Sequence, residues 1–128
     1  MVNELKNDGV TNTYCFSSAI LKDGIISTTL TDINKRSGVC QVDGNNFIVL
    51  SGTTRKGYSY KDVAEIFQKL GCKTAYSLDG GDSVSIVYKK NNVSKATVQY
   101  CNDTYGESRA SSKTKCRYIV EGIYFVEK

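Results

Sequence analysis

Ser59-Tyr60-Lys61-Asp62-Val63-Ala64-Glu65-Ile66-Phe67-Gln68-Lys69-Leu70-Gly71 decides the fold, because its apolar residues recur with a helical period. Val63, Ile66, Phe67 and Leu70 fall at i, i+3, i+4 and i+7, which places them on one face. Ser59 caps the start, and Asp62, three residues on, completes a box-like opening with negative charge at the amino end. Gly71 supplies the stop. The apolar face is read as core and not as a ligand box.

The rest of the chain reads as short strands between Gly, Asn and Asp turns. Residues 14–21 and 25–29 form a hairpin pattern around Asp23-Gly24, a pair that accepts the positive φ angles of a two-residue turn. Residues 39–42 and 47–50 form a second pair across Asp43-Gly44-Asn45-Asn46. After the helix come an apolar run at 72–78, strands at 84–88 and 96–101 around Lys89-Lys90-Asn91-Asn92, a polar loop at 102–115, and a closing strand at 117–126. The expectation is an α+β fold, mainly antiparallel sheet with one amphipathic helix at about residues 59–70.

At 128 residues and 40% hydrophobic, the chain suits one domain over residues 1–128. Seventeen basic against 13 acidic side chains give a net charge of +4, with the lysines scattered and not in a stripe, so nucleic-acid binding gets little support. Residues 1–9 are polar and charged, no run approaches a membrane span, and the stretch is also readable as the continuation of a longer polypeptide.

Histidine, proline and tryptophan are absent. Without histidine no Ser-His or Cys-His pair exists, so catalysis must run on carboxylates, Arg, Lys, Tyr or Cys. The five cysteines, Cys15, Cys40, Cys72, Cys101 and Cys116, show no C-x-x-C spacing, which argues against structural zinc. Most lie in apolar runs and read as small buried hydrophobes; Cys101 and Cys116 flank a polar loop and are candidates to pair.

The chemistry concentrates at Leu78-Asp79-Gly80-Gly81-Asp82-Ser83. Paired glycines permit unusual backbone and close approach of a ligand, while Asp79, Asp82 and Ser83 add acceptors and a hydroxyl. A divalent cation held by Asp79 and Asp82 ranks below a metal-free site, and no cofactor is expected.

Upstream of this turn lie Arg36-Ser37-Gly38, Val42-Asp43-Gly44, Arg55 with Gly57-Tyr58-Ser59, and Leu70-Gly71, and downstream lies Arg117. In this order the pieces resemble the phosphodiester glycosidase family, over roughly residues 35–126. The resemblance implies a hydrolase that splits the bond between a sugar's anomeric carbon and a phosphodiester. It further implies Asp79 and Asp82 as catalytic carboxylates, and Arg36, Arg55, Arg117, Gly80, Gly81 and Ser83 as binding groups for phosphate or sugar oxygens. Most of the nine tyrosines read as sheet-packing residues, with Tyr58 and Tyr105 the candidates for sugar stacking.

Two departures accompany the resemblance. No Asn-Gly-Gly-aromatic segment precedes Arg36, and Asp82 stands where the family commonly has a small residue. The alternative function is therefore a non-catalytic glycan-binding or attachment module, such as the tip of a virion tail or surface protein. A sugar-phosphate ligand, an extracellular, cell-surface or virion setting, and a homo-oligomer or larger assembly go with either reading.

Overall fold

The computed structural model describes residues 7, 19–52, 56–89, 95, 97–101 and 123. Its larger sheet is antiparallel throughout and is assembled from two hairpins and a later strand. Strands β1 (Ala19–Lys22) and β2 (Ile25–Ile26) join through Asp23 and Gly24, whose φ angles of 51° and 77° are those of a primed hairpin turn. The expected second strand is cut short at Ile26. Ser27 turns back on β1 instead, donating its amide to the Ile20 carbonyl at 3.0 Å and its hydroxyl to the Ala19 carbonyl at 2.6 Å.

Strands β3 (Ser37–Asp43) and β4 (Asn46–Ser51) pair from Ser37 opposite Ser51 to Asp43 opposite Asn46. The connection is thus Gly44-Asn45, shorter than the four-residue link expected from sequence. Asn46 donates to the Asp43 carboxylate at 2.7 Å and Gln41 to the Gly44 carbonyl at 3.1 Å, which draws the turn tight.

Helix α1 (Tyr60–Lys69) starts as the sequence indicates. The Asp62 amide donates to the Ser59 hydroxyl at 3.0 Å, and the Ser59 amide and hydroxyl each donate to the Asp62 carboxylate at 2.8 Å. Those donors hold the Asp62 carboxyl below its ordinary value, the Ser59 amide first and the hydroxyl second. At the other end Gly71 takes φ of 80°, its amide reaches the Gln68 carbonyl, and the Cys72 amide reaches the Phe67 carbonyl at 3.0 Å. This is the Schellman pattern.

Val63, Ala64 and Phe67 are the buried residues of α1, and Leu70 is 51% exposed. Leu70 therefore leaves the expected core face, because it is the cap residue at which the helical path ends. Ala64 enters that face, its small side chain allowing close approach.

Strand β5 (Thr74–Ser77) follows α1 and lies between the two hairpins, giving the order β2-β1-β5-β3-β4. On the helix side, Ile20, Leu21, Cys40 and Ala75 meet Val63, Ala64, Phe67 and Cys72 in one core. Gly38 makes room there, since a Cβ at that position would lie 2.9 Å from the Phe67 ring. On the opposite face the cross-strand row of Val49, Val39 and Tyr76 ends in partly exposed side chains, with Val49 at 45% and Tyr76 at 47%.

Cys40 and Cys72 form a disulfide, with Cα atoms 5.9 Å apart and 32 residues of separation. This corrects the reading of both as buried thiols. They occupy apolar runs as expected, but the Schellman turn carries Cys72 back over the centre of β3. The other cysteine sulfurs, including the Cys101 and Cys116 candidates, lie outside what the described side chains cover.

Beyond β5 a single 3-10 turn, Gly81–Ser83, leads into β6 (Ser85–Tyr88), which pairs with β7 (Thr97–Cys101) in a separate two-stranded sheet. The architecture is α+β with antiparallel sheets, the class expected. Among the described residues no helix is long and apolar enough to cross a membrane.

Candidate functional site

The acidic turn leaves β5 at the edge of the core and is pinned to the segment that enters β3. The Leu78 amide donates to the Ser37 carbonyl at 2.8 Å, and the Ser37 hydroxyl donates to the Asp79 carbonyl at 2.6 Å. The Gly81 amide then donates to the Lys35 carbonyl at 2.8 Å. Through these bonds residues 78–81 run against residues 34–37.

Glycine is required at this contact. A Cβ on Gly80 would lie 2.7 Å from the Lys35 carbonyl oxygen, closer than real contacts allow, and Gly81 has φ of 58°. The same Gly80 position lies 3.7 Å from Nη1 of Arg36. Arg36 and the Gly80-Gly81 pair, far apart in sequence, are therefore neighbours in space.

Arg36 is 6% exposed, an unusual place for a permanent charge. Its Nη2 donates to the Asp32 carbonyl at 3.1 Å and pairs with the Asp32 carboxylate, which is itself largely exposed. The ring of Tyr60 lies 3.8 Å from its Cζ, a cation-π contact. Its Nε is buried without a hydrogen-bond partner among the described residues. The Arg36 carbonyl is also tied down, accepting from the Gly52 amide at 2.7 Å.

Asp79 is exposed, and its Oδ1 accepts the Gly80 amide at 2.8 Å, a local turn that shapes the loop. Asp82 and Ser83 lie half-buried in the 3-10 turn, where the Ser83 amide donates to the Gly80 carbonyl at 3.2 Å. Val84, just after them, is 1% exposed and anchors the turn. Among the described residues no cluster of three or more metal-ligating side chains occurs.

Of the residues expected at the site, Arg36, Asp79, Gly80 and Gly81 come together, with Asp82 and Ser83 in the adjoining turn. Arg55, Arg117 and Tyr105 lie outside the described residues. Tyr58 is half-buried and packs against the core, and a Cβ at Gly52 would lie 2.6 Å from its ring. Its backbone pairs with Asn34 through two hydrogen bonds, at 2.8 and 3.1 Å, which steadies the 34–37 segment.

Sequence reasoning missed Tyr60 and Asp32, the two side chains that surround the Arg36 guanidinium. Tyr60 directly follows the Ser59 cap, a position that carries no sequence signal for a contact with Arg36. Asp32 stands four residues before Arg36, but in a segment without helix this spacing carries no expectation of contact.

The family profile described as phosphodiester glycosidase matches residues 2–126, so the match extends well ahead of the motifs that begin near residue 35. No curated protein and no solved structure matches the chain.

Proposed function

The chain belongs to the phosphodiester glycosidase family, and from that footing we propose that it hydrolyses a glycosyl phosphodiester on a glycan or cell-surface glycoconjugate. The observation that carries this reading is the placement of the buried Arg36 guanidinium beside Gly80. A permanent cation next to a glycine turn suits a phosphate, since the charge needs no proton and main-chain amides can add donors.

In this reaction water adds to the anomeric carbon, the bond from that carbon to the phosphate oxygen breaks, and a phosphate monoester departs with the bonding electrons. The monoester's last proton has a pKa of about 6, so it leaves readily as a dianion and needs charge neutralisation more than protonation. Arg36, with Arg55 and Arg117, fills that role. Asp79 and Asp82 serve as the carboxylates that stabilise the oxocarbenium-like transition state and take the proton from water, their separation setting retention or inversion.

Asp79 Oδ1 already accepts a hydrogen bond from Gly80, which favours a second reading, a glycan-binding module that keeps the cleft without turnover. The disulfide between Cys40 and Cys72 supports work outside a reducing cytosol for either reading. The deciding experiment incubates a chromogenic sugar 1-phosphodiester with wild type and Asp79→Ala. Release by the wild type and a loss of at least about a hundredfold in the variant support hydrolysis. No release, with retained binding on a glycan array, leaves the binding module.

A further inference from the structure

We propose that Tyr60, together with Asp32, is a positioning residue that fixes the plane of the Arg36 guanidinium so that Nη1 is presented to an anionic oxygen of the ligand beside Gly80. The inference rests on the phosphate role given to Arg36 above, and it concerns residues outside the glycine turn.

Three faces of the guanidinium are accounted for. Its flat side is covered by the Tyr60 ring at 3.8 Å. Its Nη2 is held by the carbonyl and carboxylate of Asp32. Its Nε is buried and carries no hydrogen bond among the described residues. Nη1 remains, on the side of Gly80. An arginine serving only as an ion-paired structural group would place its N–H groups on partners, since a buried donor left unpaired is costly. Among the described residues the contacts of Arg36 fall on Nη2 and the ring face, and an anion that meets Nη1 beside Gly80 adds a charge-assisted hydrogen bond to them.

Tyr60 can act as a fixed wall because its own backbone is set. It is the first residue of α1, directly after Ser59, and the reciprocal Ser59–Asp62 bonds define that turn. Asp32 acts differently. Its exposed carboxylate neutralises the cation from the solvent side and occupies Nη2, so an incoming anion meets Nη1 and not the whole fork. Stacking sets the plane and the ion pair sets the rotation within it.

The test titrates inorganic phosphate and glucose 1-phosphate into the full chain while following the side-chain Nε–H resonance of Arg36, assigned by its loss in Arg36→Lys. In wild type that proton is shifted upfield by the Tyr60 ring and moves on addition of either anion. Tyr60→Phe, which keeps the ring, is expected to match wild type in resonance and affinity. Tyr60→Leu loses the ring shift and binds about tenfold more weakly, with an unchanged fold by amide spectrum. Asp32→Asn also moves the resonance but keeps the ring shift.

Equal anion affinity in Tyr60→Leu and wild type overturns the positioning role. Turnover of a sugar 1-phosphodiester with no response of Arg36 to either anion overturns it too, while leaving the hydrolase reading intact. A ring-shifted Arg36 with neither anion binding nor turnover overturns both.

Discussion

The Ser37 hydroxyl donates to the Asp79 carbonyl at 2.6 Å, a bond between residues 42 positions apart that fastens the acidic turn to the first residue of β3. The Ser37 carbonyl in turn receives the Leu78 amide, so one residue clasps the turn from both sides. Ser37→Ala removes the side-chain half only. It should cost about 1 kcal/mol of stability and reduce kcat/KM on a sugar 1-phosphodiester by about tenfold, because Asp79 shifts relative to Arg36. Denaturant unfolding and steady-state kinetics on the same preparation check both numbers.

Gly80→Ala places a Cβ against the Lys35 carbonyl, a backbone atom that cannot swing aside. The variant should lose about 1–3 kcal/mol and its anion binding with it. Gly44→Ala is the control, since nothing lies within 4 Å of a Cβ there, and it should stay within about 0.5 kcal/mol of wild type. Thermal melts of the pair, with phosphate titrations alongside, separate backbone exclusion from a general intolerance of alanine.

The Cys40–Cys72 bond closes a loop with 32 residues of separation. By loop-closure entropy, its reduction should lower stability by about 3–4 kcal/mol. Cys40 and Cys72 are 1% and 3% exposed, so reductant should act slowly on the folded protein and quickly once denaturant opens it. Unfolding curves with and without reductant give the energy, and mass analysis of a non-reduced digest should find the two cysteines in one linked peptide pair.

Asp62 gives the pH dependence a sign. Its carboxyl has a lower pKa in the folded chain, through the Ser59 amide and hydroxyl, than in the unfolded chain. It therefore contributes stability above the ordinary carboxylate range, and that contribution is lost as pH falls through the depressed folded value. Wild type should lose more stability than Asp62→Asn between about pH 5 and pH 2, and their unfolding midpoints should converge at the acid end. Parallel curves across that range would contradict the assignment. Ser59→Ala, which removes the reciprocal partner, should cost about 1 kcal/mol at neutral pH.

Local signals were the legible ones. The Ser59–Asp62 box, the Gly71 stop and the Asp23-Gly24 turn each arise from neighbours in sequence, and each forms as read. The turn at Asp79 was legible as a turn because paired glycines mark backbone that other residues do not readily adopt. What was hidden depends on distant partners. Nothing near Thr74–Ser77 says that β5 enters between two hairpins, nothing near Cys40 names Cys72, and nothing in the 59–71 stretch says that Tyr60 meets Arg36. Leu70 shows the same limit at short range, since periodicity extends a face past the residue at which the cap ends the helix.

The central position of β5 has a consequence for how the chain acquires its shape. Ala19 pairs with Tyr76 and Gly38 with Ser77, so among the described residues each hairpin is joined to the sheet only by a strand that comes after α1. Contacts this far apart in sequence form late and slowly, because the intervening loop must close first. The helix can pack on the first hairpin without β5, but the two hairpins share no sheet pairing until residues 74–77 lie between them. The loop carrying Asp79 and Gly80 directly follows β5, so the acidic turn is laid against the 34–37 segment by the same pairing that completes the sheet.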